Sequence, residues 1–261
     1  MERSRDLRKI AEALALARAA LEPFSPGDIE SRLKAGGDPV TAADEAVNEV
    51  LLDFLPEPGE GWLSEETADD AARLACGRVW VIDPVDGTRE FVQGIPEWCI
   101  SIGLVEEGRP VAGGICNPAT GEVMLGAAGH GVTLNGEPIT AHPAATLAGA
   151  TVLASRSEVK RGEWERFADA PFQILPMGSV AYKLGRVGAG LDPVTWTLVP
   201  KHEWDVAAGA ALIEAAGGEV VLLDGSRPGF NRPAPKLTGF IGCAPGVIDE
   251  VLAFLEIERA P

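Results

Sequence analysis

Residues 79–88 read VWVIDPVDGT: four apolar side chains, Val79, Trp80, Val81 and Ile82, run directly into Asp83 and, three residues on, Asp86. The apolar run reads as a buried strand. Two anions this close repel each other unless a cation sits between them. Asp83 is at the carboxyl end of the strand, where open sheets present their ligands. Pro84 has no N–H to donate and fixes its own φ, so the ladder is expected to stop there and the chain to turn. That turn brings Asp86 back beside Asp83, with the carbonyl of Val85 free to point the same way. Gly87 and Thr88 then open a helix-like segment, GTREFV, whose first N–H groups are free to bind a phosphate oxygen. One short segment thus offers two carboxylates and a carbonyl to a hard dication, and backbone donors to an anion beside it. Metal-assisted phosphoryl transfer needs that combination, and oxygen ligands suit magnesium.

The wider sequence narrows the partners. The chain has 261 residues, of which 46% are hydrophobic, enough for one large domain or two closely packed lobes. Lysine and arginine number 22 against 39 acidic residues, a formal charge of −17. Such a field repels polynucleotides and anionic membranes, and repels a small phosphorylated metabolite too unless bound metal reverses its sign locally. No window approaches eighteen apolar residues and the N-terminal segment lacks a signal-peptide core, so a soluble, cytoplasmic protein is expected. Cys76, Cys99, Cys116 and Cys243 are scattered, without metal-ligand or disulfide spacing, and read as reduced thiols.

Two textures divide the chain. Residues 1–145 carry helices at 3–21 and from Thr41, where TAAD has capping-box form. Strand-like runs then follow at 78–83, 98–105, 109–117 and 121–128 and an Asn-Gly hairpin signal at 134–138, together a largely antiparallel sheet. Residues 146–261 alternate strand and helix: strands near 150–155, 172–175, 194–199, 218–223 and 237–243, helices near 157–169, 179–190, 203–216 and 246–257. Alternation of that kind indicates a layered α/β lobe.

An Asp-x-x-Asp at a strand end is on its own often just a solvated turn, and a helix-N-terminal aspartate is usually a cap. Here further acidic segments join it: DPVTAAD (38–44) with Asp44, LSEET (63–67) with Glu65 and Glu66, and EWDVAAG (203–209) with Asp205. With GGICNPATGEVMLGAAGHGVTLNG and GSVAYKLGRVGAG, in this order and spacing over essentially the whole chain, they resemble the inositol monophosphatase superfamily of magnesium-dependent, lithium-sensitive phosphatases. The resemblance implies that family's αβαβα sandwich, the inositol monophosphatase/fructose-1,6-bisphosphatase type, commonly a homodimer. By position it implies two or three Mg2+ held by Glu65, Asp83, Asp86, Asp205 and the Val85 carbonyl, phosphate gripped by Gly87 and Thr88, and an attacking water positioned by Asp44 and Thr88. Glu65 and Thr88 would activate that water without a covalent intermediate, and Li+ would inhibit. His130, His142 and His202 read as loop or surface residues, because magnesium prefers oxygen.

Substrate choice rests on the leaving-group side. Glu90 stands where inositol monophosphatases usually have asparagine, a form more like the 3′(2′),5′-bisphosphate nucleotidases of the CysQ type. No carboxylate lies between Pro193 and His202; that stretch offers Trp196 and Lys201 instead. Either Trp196 packs on a nucleobase and Lys201 or Arg156 meets a second phosphate, or Trp196 faces the core and Lys201 is a solvated loop charge. Glu203 would replace the missing carboxylate under a different looping. The expected activity is hydrolysis of adenosine 3′,5′-bisphosphate to AMP and phosphate. The alternatives are inositol 1-phosphate or histidinol phosphate as substrate, or a silent phosphate-binding relative.

Overall fold

The computed structural model describes residues 2–34, 37, 39–140 and 146–260; Asp38 and His142 lie outside them. Helix α1 (Glu2–Leu21) is followed by an antiparallel pair, β1 (Ser31–Leu33) and β2 (Pro39–Thr41), and by α2 (Ala42–Phe54). The start of α2 is a capping box: Thr41 Oγ1 accepts from the Ala43 N–H, and the Asp44 carboxylate accepts from the Thr41 N–H.

Seven strands then form one sheet in sequence order: β3 (Gly61–Ser64), β4 (Arg78–Asp86), β5 (Cys99–Glu106), β6 (Arg109–Asn117), β7 (Glu122–Ala127), β8 (Gly131–Leu134) and β9 (Glu137–Pro138). Helix α3 (Thr88–Gln93) leaves the end of β4. Only β3 and β4 pair in parallel; the rest is an antiparallel meander. Its turns Glu107-Gly108 and Asn135-Gly136 both have positive φ, the backbone that joins twisted strands tightly.

The second half alternates: β10 (Thr151–Ser155), α4 (Arg156–Lys160), β11 (Gln173–Met177), α5 (Val180–Gly188), β12 (Val194–Thr197), β13 (Lys201–His202), α6 (Glu203–Ala215), β14 (Glu219–Leu222), β15 (Lys236–Leu237), β16 (Phe240–Cys243) and α7 (Ile248–Phe254). Five of these strands form a mixed sheet in the order β11-β10-β12-β16-β14, and β13 pairs with β15 apart from it. The helix expected over 157–169 is instead the short α4 and a 3-10 turn at Glu165–Phe167, because Gly162 at φ 80 breaks the run.

Strand alternation distributes the core into layers. Trp80 and Ile82 of β4 pack with α1 and α2, whereas Val79 and Val81 pack with α5 and α6. Across those two helices lies the five-stranded sheet, and its far face packs on α7. The result is the αβαβα sandwich. Helix α6 sits close on the first sheet: a Cβ on Gly113 would come within 2.4 Å of the Ala208 carbonyl oxygen.

This layering corrects the reading of Trp196 as a base-stacking wall. Trp196 shares a face with Val194, packs in the outer layer with α7, and is 0% exposed. Its ring stacks on Trp164 with centroids 5.1 Å apart and meets Phe167 and Phe172 edge-on. The alternative reading, a core tryptophan, is the one observed.

Candidate metal and phosphate site

The ladder between β4 and β5 does not stop at Pro84, as expected, but bulges and resumes. Asp83 pairs with Ser101 and Asp86 with Cys99, so four residues of β4 face three of β5. In a regular strand, residues three apart point to opposite faces; the extra residue puts Asp83 and Asp86 on the same face. Proline is tolerated in the bulge because no ladder donor is needed there. The Val85 N–H donates to Asp83 Oδ1 at 3.1 Å, fixing that carboxylate.

Glu65 follows β3, parallel to β4, and Asp205 lies in the first turn of α6, where its Oδ2 accepts from the His202 N–H at 2.9 Å. Glu65, Asp83 and Asp205 each bring a carboxylate oxygen within 4.8 Å of the others. Burial raises the Asp83 and Asp205 carboxyls well above the usual range, and the neighbouring carboxylates raise them further. Glu65 is raised by burial as well, against the opposing pull of Lys34, whose Nζ lies 2.7 Å from it. A set of hard oxygen donors in mutual repulsion, Asp83 buried and Glu65 and Asp205 partly so, fits a divalent cation such as magnesium. Asp86 stands beside this trio, its Oδ2 accepting from Ser179 Oγ at 2.7 Å and from the Ala181 N–H at 2.5 Å.

Asp44, buried at the start of α2, accepts from Thr41 through one oxygen and from Thr88 Oγ1 at 3.0 Å through the other; Thr88 Oγ1 also lies 3.0 Å from the Val85 carbonyl. Gly87 precedes α3 with φ 96, and a Cβ there would meet the Glu97 carbonyl at 2.9 Å and Trp98 at 3.1 Å. Glycine is the residue that fits.

Glu65, Val85, Asp86, Gly87, Thr88 and Asp205 line a cavity of about 410 Å³. Its walls carry Glu90, Arg89, Arg156, Arg161, Lys201 and Lys236. Arg156 is bound by the Glu97 carboxylate, and Arg161 pairs with Glu163. Lys201 and Lys236 have no ion pair among the described residues. Glu90 is half-buried, and burial raises its carboxyl. His202 is half-exposed at the cavity, stacked on Trp204 with ring centroids 4.5 Å apart, and His130 is exposed. Glu203 faces away: fully buried, it accepts from the N–H groups of Asn231 and Arg232, so it does not replace the carboxylate missing before Trp204-Asp205.

A model of the inositol monophosphatase family matches residues 5–255. The chain belongs to the inositol monophosphatase family. Inositol monophosphatase 3 of Solanum lycopersicum is 33% identical, the alignment covering 72% of this chain and 75% of that one. The 3′-phosphoadenosine 5′-phosphate phosphatase of Mycobacterium leprae is 35% identical, over 80% and 82%. Among solved structures, the inositol monophosphatase from Anabaena (Nostoc) sp. PCC 7120 superposes with a TM-score of 0.78 at 27% identity, covering 100% of this chain and 98% of that one. As a member of this family the chain is a hydrolase of phosphate monoesters acting on small phosphorylated substrates. None of its described helices is long and apolar enough to cross a membrane.

Residues 65, 83, 85, 86, 87, 88, 90, 156, 201 and 205, all expected at the site, come together around the trio and its cavity, with Asp44 held to Thr88 behind them. Residues with structural claims on the site that had no role in the sequence reading include Lys34, Glu97, Ser179 and Lys183, together with Arg89, Arg161, Trp204 and Lys236 of the cavity wall. Ser179 caps α5 within the GSVAYK segment, and that cap signal was available. Lys34 and Glu97 act from irregular segments with no periodic signal.

Proposed function

We propose that this phosphatase is magnesium-dependent and that its substrate carries a second anionic group beside the scissile phosphate, with 3′(2′),5′-bisphosphate nucleotides such as adenosine 3′,5′-bisphosphate the first choice. The observation that carries the reading is the pair of lysines, Lys201 and Lys236, that line the cavity above the carboxylates without an ion pair among the described residues, in a chain of net charge −17. A second phosphate supplies the counter-charge these two ammonium groups lack, which a neutral polyol does not. The 35% identity to a 3′-phosphoadenosine 5′-phosphate phosphatase supports the same choice. The aromatic surface open to a base is Trp204 with His202 stacked on it.

In this mechanism Glu65, Asp83, Asp86, Asp205 and the Val85 carbonyl would hold the metal. Magnesium held there would supply charge neutralisation for phosphoryl oxygens and a lowered pKa for water. Thr88 Oγ1 donates its proton to Asp44, so its lone pairs are free to orient the attacking water. Burial raises the Asp44 carboxyl, and its Thr41 donors act against that rise in favour of the acceptor form. Glu65 receives the proton that the water gives up, and Gly87 and Thr88 present backbone N–H groups to the phosphate. Lithium inhibition and a homodimer complete the proposal.

The second reading, inositol-1-monophosphatase, is favoured by relatives such as that of Solanum lycopersicum at 33% identity. Comparing kcat/KM for adenosine 3′,5′-bisphosphate, inositol 1-phosphate and histidinol phosphate decides between them. The proposal predicts that the bisphosphate leads by about tenfold or more, roughly one good charge-assisted contact. A lead for inositol 1-phosphate overturns it.

A further inference from the structure

Lys183 lies in α5, is 2% exposed, and reaches no carboxylate within ion-pair distance among the described residues. Its Nζ instead donates to three consecutive carbonyls, Met177 and Gly178 at 3.3 Å and Ser179 at 2.5 Å. Three ammonium donors thus meet three acceptors of a single turn. Drawing three successive carbonyls to one point bends the backbone sharply. Ser179 sits at φ 53, a conformation disfavoured for a residue with a Cβ. Its neighbour Gly178 is pinned from the other side, its N–H donating to the Glu97 carboxylate at 2.6 Å.

The strained turn has a product. It aims Ser179 Oγ and the Ala181 N–H at the same oxygen, Asp86 Oδ2. Asp86 comes from the first sheet and α5 from the layer beneath it, so the orientation of this carboxylate depends on the turn's geometry. Backbone strain persists where the surroundings over-determine it, and Lys183 is the group that does so here. Burial lowers the Lys183 amine to about 8, and it borders the cavity without opening into solvent.

We propose that Lys183 is a positioning residue for metal binding: by clamping the Met177–Ser179 carbonyls it holds Ser179 and Ala181 on Asp86 and so presets that carboxylate for the cation. The inference rests on the reading of Asp86 as a metal ligand. Groups that orient ligating carboxylates change metal affinity without touching the metal.

The test uses the full chain with Lys183→Met, which keeps length and loses all donors, and Lys183→Gln, which keeps one amide donor group. Mn2+ binding is followed without substrate by the paramagnetic resonance of the free ion, and near-UV circular dichroism monitors the fold. Lys183→Met is expected to weaken one Mn2+ site by about tenfold or more, the scale of a lost orienting contact, and Lys183→Gln by less. Folded variants with wild-type Mn2+ affinity overturn the inference. If Lys183→Met does not fold, wild-type affinity in Lys183→Gln overturns it alone. A wild-type chain that binds no Mn2+ removes the metal reading itself, and the inference with it.

Discussion

Replacing Asp83 by asparagine separates what the carboxylate does for the fold from what it does for the chemistry. Asp83 is buried, and its nearest oxygen lies within 4.8 Å of oxygens on Glu65 and Asp205. At that separation and an effective dielectric of about 20, one pair of like charges costs roughly 3.5 kcal/mol. Partial protonation of the cluster reduces the total, so about 3 kcal/mol is a fair net relief when one charge is removed. The asparagine keeps the acceptor for the Val85 N–H and gains an amide donor to offer the remaining carboxylates. The metal-free variant is therefore expected to melt about 6 °C above the wild type at slightly alkaline pH, for a chain of this size. Activity moves the other way. Losing a charged ligand at the reacting centre is expected to lower kcat by about a thousandfold or more, on the order of 4 kcal/mol of transition-state stabilisation. The assays are calorimetry of the chelator-treated proteins and phosphate release across a magnesium titration. A variant that melts below the wild type, or that turns over within tenfold of it at low magnesium, would refute the reasoning.

Two further outcomes follow from the same structure. Trp196→Ala should cost about 3–5 kcal/mol of stability, the range for truncating a buried tryptophan, while leaving the ratio of kcat/KM between a bisphosphate nucleotide and a small monoester unchanged; a selective loss on the nucleotide would restore the base-stacking role. The pH dependence has a definite sign: burial holds the Asp83, Asp205 and Glu65 carboxyls above their ordinary values, and Glu66 is pushed from 4.5 to about 7. The folded state then binds more protons than the unfolded chain in this window, so metal-free stability is present at the acid end and lost as pH rises from about 4.5 through about 7. Saturating magnesium should flatten that slope, and a metal-free melting temperature that climbs with pH over this range would contradict it.

Much of the fold was legible because its signals are local. Thr41 and Asp44 carry a capping box in four consecutive residues, and Asn135-Gly136 specifies its turn without outside help. The carboxylates that cluster at the candidate site were legible because each stands at a recognisable element boundary: the end of β3, the end of β4, the first turn of α6. What failed depended on which layer a face meets. Trp196 alternates with Val194 and Leu198, and that period-2 pattern marks a core face; the base-packing reading rested instead on the lack of a carboxylate between Pro193 and His202, with the core face held as its alternative. The bulge at Pro84 was read as an end because a missing donor looks alike in both cases; only pairing with β5 tells them apart. Lys183 was invisible as a site residue because its acceptors are backbone carbonyls, which every sequence supplies.

The central claim is that Glu65, Asp83, Asp86 and Asp205 form a divalent-cation site without which the chain cannot hydrolyse a phosphomonoester. Phosphate release from a small generic phosphomonoester, measured on metal-stripped protein during a magnesium titration, tests it most directly. The account predicts no turnover above background in the stripped protein and saturable recovery as magnesium is added. Undiminished turnover in the presence of excess chelator would contradict it.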